Sequence, residues 1–529
     1  MRGAFLDSVE VDRSGPVADL IEAETDRPQS VLLRWPDDAW TVRDFATASR
    51  RCAAELRRRG VESGDRVALI SGNSAWRLAW QYGIWWVGAV EVSINAELKG
   101  PLMQSVLADC EPALLVVEEE LLHCVGDEPP APVRIIDHGY PEEIDASTHA
   151  ELDAATAAMR PSDLGTILYT SGTTGPSKGV MLPRAYFANL GAVIAGVLDL
   201  QPSDTGYFVL PFFHVDFHVV FPAVVQSGSS VAFDRRFSAR RFWPQIEQFG
   251  CTWCFVIGSV LSVVMTLGAE AAAGTPVRRF LGAPIPPEAY TFFEQNLGIR
   301  IQSMFGQTEA DGPTFDTVDH RRQGSAGWPC AGFDVEVHDE SGRQVAPGAI
   351  GQIVYRPQRA NMMTLGYWRR PDATAEAWQN LWFHSGDLGR MDGDGFLYFV
   401  GRLTDSLRRR GENVSAYELE FVIRRAPGVD ECAAVGVHDE MGGEDDIKVF
   451  VVPDDEHTFD PDAFFGYCED NLPRYAVPTY VELTTSDTFV RSVGTGVIQK
   501  RRLSRETAGP GIYVHPQSKV ATDAGKVAR

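Results

Sequence analysis

From Arg66 onward the chain alternates two kinds of apolar pattern. Short buried-strand runs such as RVALISGN (66–73) give way to longer helical ones such as AWRLAWQYGIWW, and the alternation continues to about residue 330. Strands separated by helices predict an α/β architecture with largely parallel sheets. Ahead of it, WTVRDFATASRRCAAELRRRG (40–60) has helical spacing. Phe45, Ala46, Ala53 and Leu56 share one face, arginines take the other, and Gly60 is the stop. From 331 to 400 the pattern becomes short strands and glycine turns, as in FDVEVHDESGRQV, GQIVYR and FLYFVG, which predicts a β-rich subdomain. GRLTD (401–405) opens a smaller α+β unit: helix ELEFVIRRA, strands ECAAVGVHD and IKVFVVPD, helix DAFFGYCEDNL, strand TYVEL. The expected domains are 1–401 and 402–507, with 508–529 (AGPGIYVHPQSKVATDAGKVAR) a polar, flexible tail. A chain of 529 residues is too long for one ordinary core, and no internal repeat is evident.

Charge narrows the partners. With 48 basic and 72 acidic residues the formal net charge is -24, so nucleic acid and anionic membranes are repelled. An anionic substrate binds only where cations are locally concentrated. The start, MRGAFLDSVEVDRSG, lacks a signal-peptide core, and apolar runs such as AVIAGVLD (192–199) are too short to span a bilayer. A cytoplasmic location is expected. The eight cysteines show no framework spacing, which fits a reducing compartment. Cys251 and Cys254 form a lone CxxC, read as two core thiols in CTWCFVIG.

ILYTSGTTGPSKGVML (167–182) carries the clearest chemistry. A strand enters a loop of Ser, Thr and Gly with one lysine, and a second strand leaves it. Glycines let backbone N–H groups turn toward a phosphate. The hydroxyls of Thr170, Ser171, Thr173 and Thr174, with Gly172 and Gly175 between them, add donors, and Lys178 adds charge. It is not a Walker A loop: Ser177 precedes the lysine, Gly179 follows it, and a strand rather than a helix comes next.

YTSGTTGPSKGV resembles the phosphate loop of the ANL superfamily of adenylate-forming enzymes. The resemblance extends over nearly the whole chain, through GNSAWRLAWQYGIWWVGAVEVSIN, PFFHVDFH, LGAPIPPEA, MFGQTEA, GYWRRPDATAEAW, FHSGDLG and GRLTDSLRRRGENVSAYELE, in the family's order. RRRGENVSAYELE is most similar to the acyl-CoA ligase branch, especially ligases of the carnitine/crotonobetaine type. The resemblance implies a large N-terminal domain of two parallel-type α/β subdomains plus a β-rich subdomain, and a small mobile α+β C-terminal domain. It implies two steps: an acid and ATP, with Mg²⁺, give acyl-AMP and pyrophosphate, and a thiol then displaces AMP.

Roles carry over by position. Phe305 would stack on adenine in a segment with Gly306, beside the pocket segment Gly282, Ala283 and Pro284. Thr308 would bond the α-phosphate, Glu309 would hold Mg²⁺, and Asp387 and Arg402 would take the ribose. His214 would line the acyl tunnel, whereas His218 has no such support. Small residues Gly258, Gly282, Ala283 and Gly306 would leave room for a sizeable acyl group. Gly411 would let pantetheine pass, and Arg408, Arg409 and Arg410 form a cation cluster suited to the phosphates of coenzyme A. Thr404 or Asp405 stands at the hinge.

One position departs from the family. Its C-terminal motif reads like TGK, and that lysine bridges carboxylate and α-phosphate during adenylation. Here TGVIQKRRL aligns without a gap and Val497 stands in the lysine's place. Loss of such a contact costs roughly two to three decades of rate. Attack of a thiol on a ready-made acyl-adenylate does not need it. The sequence thus predicts a non-adenylating member that takes acyl-AMP from a separate adenylating enzyme, as members of natural-product pathways do. Lys500 is the residue that could restore the charge, giving a complete ATP-dependent acyl-CoA ligase. An inactive adenylate-binding scaffold is the remaining reading, opposed by the retention of Glu309, Asp387 and Gly411. The apolar run WCFVIGSVL favours a hydrophobic acid. The thiol is that of coenzyme A or of a carrier protein, with the arginine cluster leaning toward the former.

Overall fold

The computed structural model describes residues 13–96, 98, 100–126, 128–136, 141–170, 177–330, 332–403, 406–409, 412–438, 445–454, 459–472, 476–491 and 498–516. Compact packing divides the chain into two units. The first takes residues 1–336, 354–385 and 391–398; the second takes 337–353, 386–390 and 399–529.

The first unit contains two large mixed sheets. In one, seven strands run in the order Gly366–Tyr367, Lys178–Pro183, Leu164–Thr170, Val90–Ser93, Arg66–Ile70, Leu114–Glu118, Val133–Ile136. In the other, the central strands Val31–Trp35, Ser230–Phe233, Thr205–Phe208, Trp253–Val256, Arg279–Gly282 and Arg300–Gln307 are parallel neighbours. The expected parallel character holds for the sheet centres. At the margins it does not: Lys178–Pro183 runs antiparallel to Leu164–Thr170, and Ala310–Phe315 antiparallel to Arg300–Gln307. The reason is local, because each pair is a hairpin with no crossover helix between its strands. Both hairpins carry chemistry-bearing motifs.

Helix Val42–Arg58 begins with a capping box, Thr41 accepting from the Asp44 N–H while Asp44 accepts from the Thr41 N–H. Arg57 and Arg58 in its last turn suit the negative helix end. Its buried face includes the expected Phe45, Ala46, Ala53 and Leu56. Helix Ala75–Trp86 is buried along its whole length, Arg77 included. Gly83 permits that packing, since a Cβ there would lie 2.7 Å from the Cys52 Cβ of the neighbouring helix. Cys251 and Cys254 are buried, and burial pushes the Cys251 thiol up to about 12 and raises that of Cys254 well above its ordinary value. Both therefore stay protonated and inert at neutral pH.

The second unit contains a four-stranded sheet, Val429–His438, Asp445–Pro453, Tyr480–Leu483 and Ile512–Val514, in that order. Helices Ala416–Ile423 and Pro461–Asn471 supply Leu419, Ile423, Phe464, Phe465 and Cys468 to a core shared with Val449, Val451 and Val481. The last strand departs from the expected flexible tail at 508–529. Ile512 pairs with Glu482 and Val514 with Tyr480, antiparallel. Three residues are too few to show period-two alternation, yet IYV has high strand propensity and meets an otherwise open edge. Residues 517–529 lie outside the described residues.

Candidate functional site

Strand Leu164–Thr170 delivers Thr170 to the start of the glycine-rich loop, and strand Lys178–Pro183 delivers Lys178 to its end, the two residues facing each other in the antiparallel register. Ser171, Gly172, Thr173, Thr174 and Gly175 lie outside the described residues. Gly179 is fixed by packing: a Cβ would meet Ile167 at 2.8 Å. The short strand Gly366–Tyr367 pairs with the same hairpin and brings Tyr367 to Lys178, whose Nζ sits 5.0 Å from the centre of the phenol ring. The Tyr367 hydroxyl donates to Glu309 Oε1 at 2.7 Å, and the Thr364 N–H donates to the Glu309 carbonyl at 2.8 Å. One cation and one carboxylate are thereby held on either side of one tyrosine.

Thr308 and Glu309 form the turn of the second hairpin. The Tyr186 hydroxyl stitches it, donating to the Thr308 carbonyl at 3.2 Å and accepting from the Asp311 N–H at 2.8 Å. Phe305 is 5% exposed and pairs with Thr314. Gly306 has a packing reason, since a Cβ would meet Asp311 Oδ1 at 2.8 Å and the Gly312 nitrogen at 2.9 Å. Gly282 is more constrained still, with a Cβ only 1.7 Å from the Val256 carbonyl oxygen, and at Gly258 a Cβ would meet the Pro284 oxygen at 2.7 Å. Close backbone approach, rather than spare room for an acyl group, accounts for these three glycines. The peptide between Ala283 and Pro284 is cis.

His214 precedes helix Val215–Ser227 at its N-cap position without a side-chain capping bond, and burial together with the neighbouring His218 lowers its pKa to about 4. It is a neutral imidazole at physiological pH. His218, given no role by the sequence, is buried in a polar network. Its Nδ1 lies 2.9 Å from the His214 carbonyl oxygen and its Nε2 3.1 Å from Glu91 Oε2. Gln81 donates to the same Glu91 oxygen at 3.1 Å, and Arg77 lies 3.7 Å from Oε1. His218 and Arg77 hold the Glu91 carboxyl below its usual range despite the burial that opposes them. The network thus pins the first turn of the helix that presents His214. Asp216 on that turn and Asp311 on the hairpin repel each other. Burial first, then this repulsion, raises Asp311 well above the ordinary carboxylate range, and burial pushes Asp216 up to about 6.

Tyr367, Tyr186, Asp216 and Asp311 were not singled out by sequence. The signal for Tyr367 was its place in GYWRRPDATAEAW; Asp311 directly follows MFGQTEA.

The remaining candidates belong to the second unit. Asp387 lies on strand Trp382–Met391 and is 1% exposed. Arg402 ends strand Leu397–Arg402, and Arg408 lies on strand Ser406–Arg409, both described as backbone only. Arg410, Gly411, Thr404, Asp405 and Val497 lie outside the described residues. Lys500 is committed: its Nζ is 3.0 Å from Glu420 Oε1, an oxygen that also accepts from the Ala434 N–H at 2.6 Å. Glu420 is 7% exposed, and burial raises its pKa although Lys500 pulls it down.

Among the described residues no group of three or more His, Cys, Asp or Glu could hold a metal ion. A single carboxylate such as Glu309 suits a magnesium ion carried mainly by phosphate oxygens.

Residues 21–368 match the family model of AMP-binding enzymes, and residues 418–490 match that of the AMP-binding enzyme C-terminal domain. The crotonobetaine/carnitine–CoA ligase of Salmonella paratyphi C is 30% identical over 475 residues, covering 84% of this chain and 90% of that protein. The fold is similar to the anthranilate CoA ligase AuaEII in complex with anthranoyl-AMP, with TM-score 0.78, 23% identity, and 97% and 98% of the two chains covered. It is also similar to a Mycobacterium tuberculosis fatty acyl CoA synthetase, with TM-score 0.69, 27% identity, and 93% and 98% covered.

Proposed function

Because the chain belongs to the AMP-binding enzyme family, in its acyl-CoA ligase branch, we propose that it forms an acyl-CoA thioester from an acyl-adenylate and coenzyme A without making the adenylate itself. The observation that carries this reading is Val497 in TGVIQKRRL, at the position where the family resemblance places the adenylation lysine. The Lys500–Glu420 pair supports it. Moving Lys500 away would leave a buried carboxylate without its cation, at a cost of about 3–5 kcal/mol.

In this reading the nucleotide half of the adenylate lies on the two hairpins. Phe305 stacks on adenine, Thr308 bonds the α-phosphate and Lys178 adds charge, while Asp387 and Arg402 take the ribose. Glu309, oriented by Tyr367, would hold Mg²⁺, which when bound offsets phosphate charge. Neutral His214 lines the acyl group without adding a charge to a hydrophobic acid. The thiol passes Gly411, with Arg408 and Arg410 against the phosphates of coenzyme A. Its sulfur attacks the acyl carbon, the bond from that carbon to the phosphate oxygen breaks, AMP leaves, and the thiol proton goes to solvent. The reaction is mainly one of orientation. The boundary proposed for the small domain is residue 402, and a separate adenylating enzyme is the proposed partner. Crotonobetaine and carnitine, named for the Salmonella relative, belong in the acid panel beside apolar acids.

Complete ligase activity is the second reading, favoured by the intact assembly of Lys178, Tyr367 and Glu309. A paired assay separates the two. One arm supplies acid, ATP, Mg²⁺ and coenzyme A; the other supplies synthetic acyl-AMP and coenzyme A. Thioester in the second arm alone supports the proposal. Comparable rates in both arms overturn it. Lys500→Ala, assayed where it remains folded, then tells whether Lys500 supplies the missing charge.

A further inference from the structure

A cavity lies at the far end of the strand that feeds the glycine-rich loop. Gly165 and Thr166 line it, whereas the loop follows Thr170. Five residues of strand separate Gly165 from Thr170, about 17 Å. The cavity holds about 350 Å³, a volume in the range of small-molecule sites. Val17, Ile21, Met159 and Phe187 give it an apolar wall.

Two positive features meet there. Gly15, Pro16, Val17 and Ala18, the start of helix Pro16–Asp26, line the cavity, and no side chain caps that helix. Pro16 has no N–H, so the first N–H groups of this positive helix end belong to Val17 and Ala18, both lining residues. Arg184 lines the cavity too. It is 8% exposed, its Nη2 donates to the Trp85 carbonyl, and its Nη1 has no acceptor among the described residues. Burial lowers the guanidinium to about 10, which leaves it charged at neutral pH. The acid on the wall, Asp153, is already engaged, accepting from Arg50 at 2.9 and 3.1 Å and from Trp86 at 3.1 Å, and Asp163, whose charge also acts on Arg184, is paired with Arg160 at 2.8 Å. Glycine keeps the cation in place: a Cβ at Gly165 would lie 3.0 Å from the Arg184 Cα.

A buried guanidinium nitrogen without an acceptor is costly. An uncapped helix start beside it adds to the same demand, for an anion. The apolar wall asks that the anion carry a hydrocarbon body. We propose that this cavity is a second binding site, separate from the adenylate site, for a small carboxylate with an apolar body, its oxygens taken by Arg184 and the first turn of helix Pro16–Asp26. The proposal does not depend on which half-reaction the enzyme performs.

The test uses the full chain and three probes: 4-bromobenzoate, its neutral counterpart 4-bromobenzyl alcohol, and inorganic phosphate. Crystals soaked in each are examined for bromine anomalous signal, which separates this cavity from the acyl pocket by position. The expected result is a bromine peak in the cavity with the acid and none with the alcohol. In solution the acid should bind about tenfold or more tightly than the alcohol, the difference of one charge-assisted contact. Arg184→Met should remove the cavity peak and leave any acyl-pocket peak. Should that variant fail to fold, Val17→Trp fills the cavity while keeping the cation, and it too should abolish the peak. No cavity peak at saturating acid, equal binding of acid and alcohol, or a peak that persists in either variant would overturn the proposal. Phosphate displacing the acid would overturn the apolar part of it.

Discussion

Lys178 and Lys500 are the same residue type under opposite constraints. Among the described residues, Lys178 lies over an aromatic face, with Glu309 reached only through the Tyr367 hydroxyl. Lys500 sits against the buried carboxylate of Glu420. The first arrangement keeps a cation at the end of the glycine-rich loop, where the proposed function puts phosphates, without pairing it directly to Glu309. The second commits its cation to holding strand Val429–His438 against helix Ala416–Ile423 through Glu420 and Ala434. A positive charge near a motif therefore does not make a catalytic group; its partner decides. In the proposed reading the chain retains the parts that would bind an adenylate, while valine stands at the position that would help create one.

The strongest way to break this contrast is to restore the charge. Val497→Lys should raise ATP-dependent thioester formation by about two to three decades and leave the rate from synthetic acyl-AMP nearly unchanged. Pyrophosphate release measures the first quantity. Next comes Lys500→Ala. Glu420 would lose its cation, and its folded pKa, already raised by burial, would rise further. A raised carboxyl destabilises the fold above its folded pKa and ceases to do so as pH falls below its unfolded one. The expected loss is about 3 kcal/mol at pH 8, shrinking toward pH 4, read from denaturant melts at several pH values.

Tyr367→Phe sharpens the other side. Removing a hydrogen bond to a carboxylate should cost about 1.5–3 kcal/mol in any step that uses Glu309. In the Val497→Lys background that means adenylation slowed about tenfold or more, with thioesterification from acyl-AMP little affected. Asp216→Asn has the smallest effect. With Asp216 raised to about 6 beside Asp311, the wild type carries its penalty above pH 6 and loses it below about pH 4. The amide should therefore stabilise the chain by about 1 kcal/mol at pH 8 and not at all at pH 4.

Much of this was legible in sequence because it is local. The strands that flank the glycine-rich loop, the Phe305–Glu309 segment and the helix 40–60 are runs whose spacing reports their own conformation. What was not legible depends on sheet order. Glu309 and Tyr367 are 58 residues apart and meet because strand Gly366–Tyr367 joins the Lys178 hairpin. Glu91 and His218 are 127 apart and meet in the buried space between elements. Nothing near Lys500 in sequence announces Glu420. The glycines show a different failure: smallness at Gly282 looked like room for a ligand, and is instead the condition for a neighbouring carbonyl to fit.

Strand Ile512–Val514 has a practical consequence for anyone shortening the protein. A chain ended at Thr507, the domain end expected from sequence, would lose the partner of Tyr480–Leu483. That strand would then present bare N–H and C=O groups along its length, an invitation to any neighbouring molecule. Turbidity that grows with protein concentration would be the first symptom, well before any loss of the active fold.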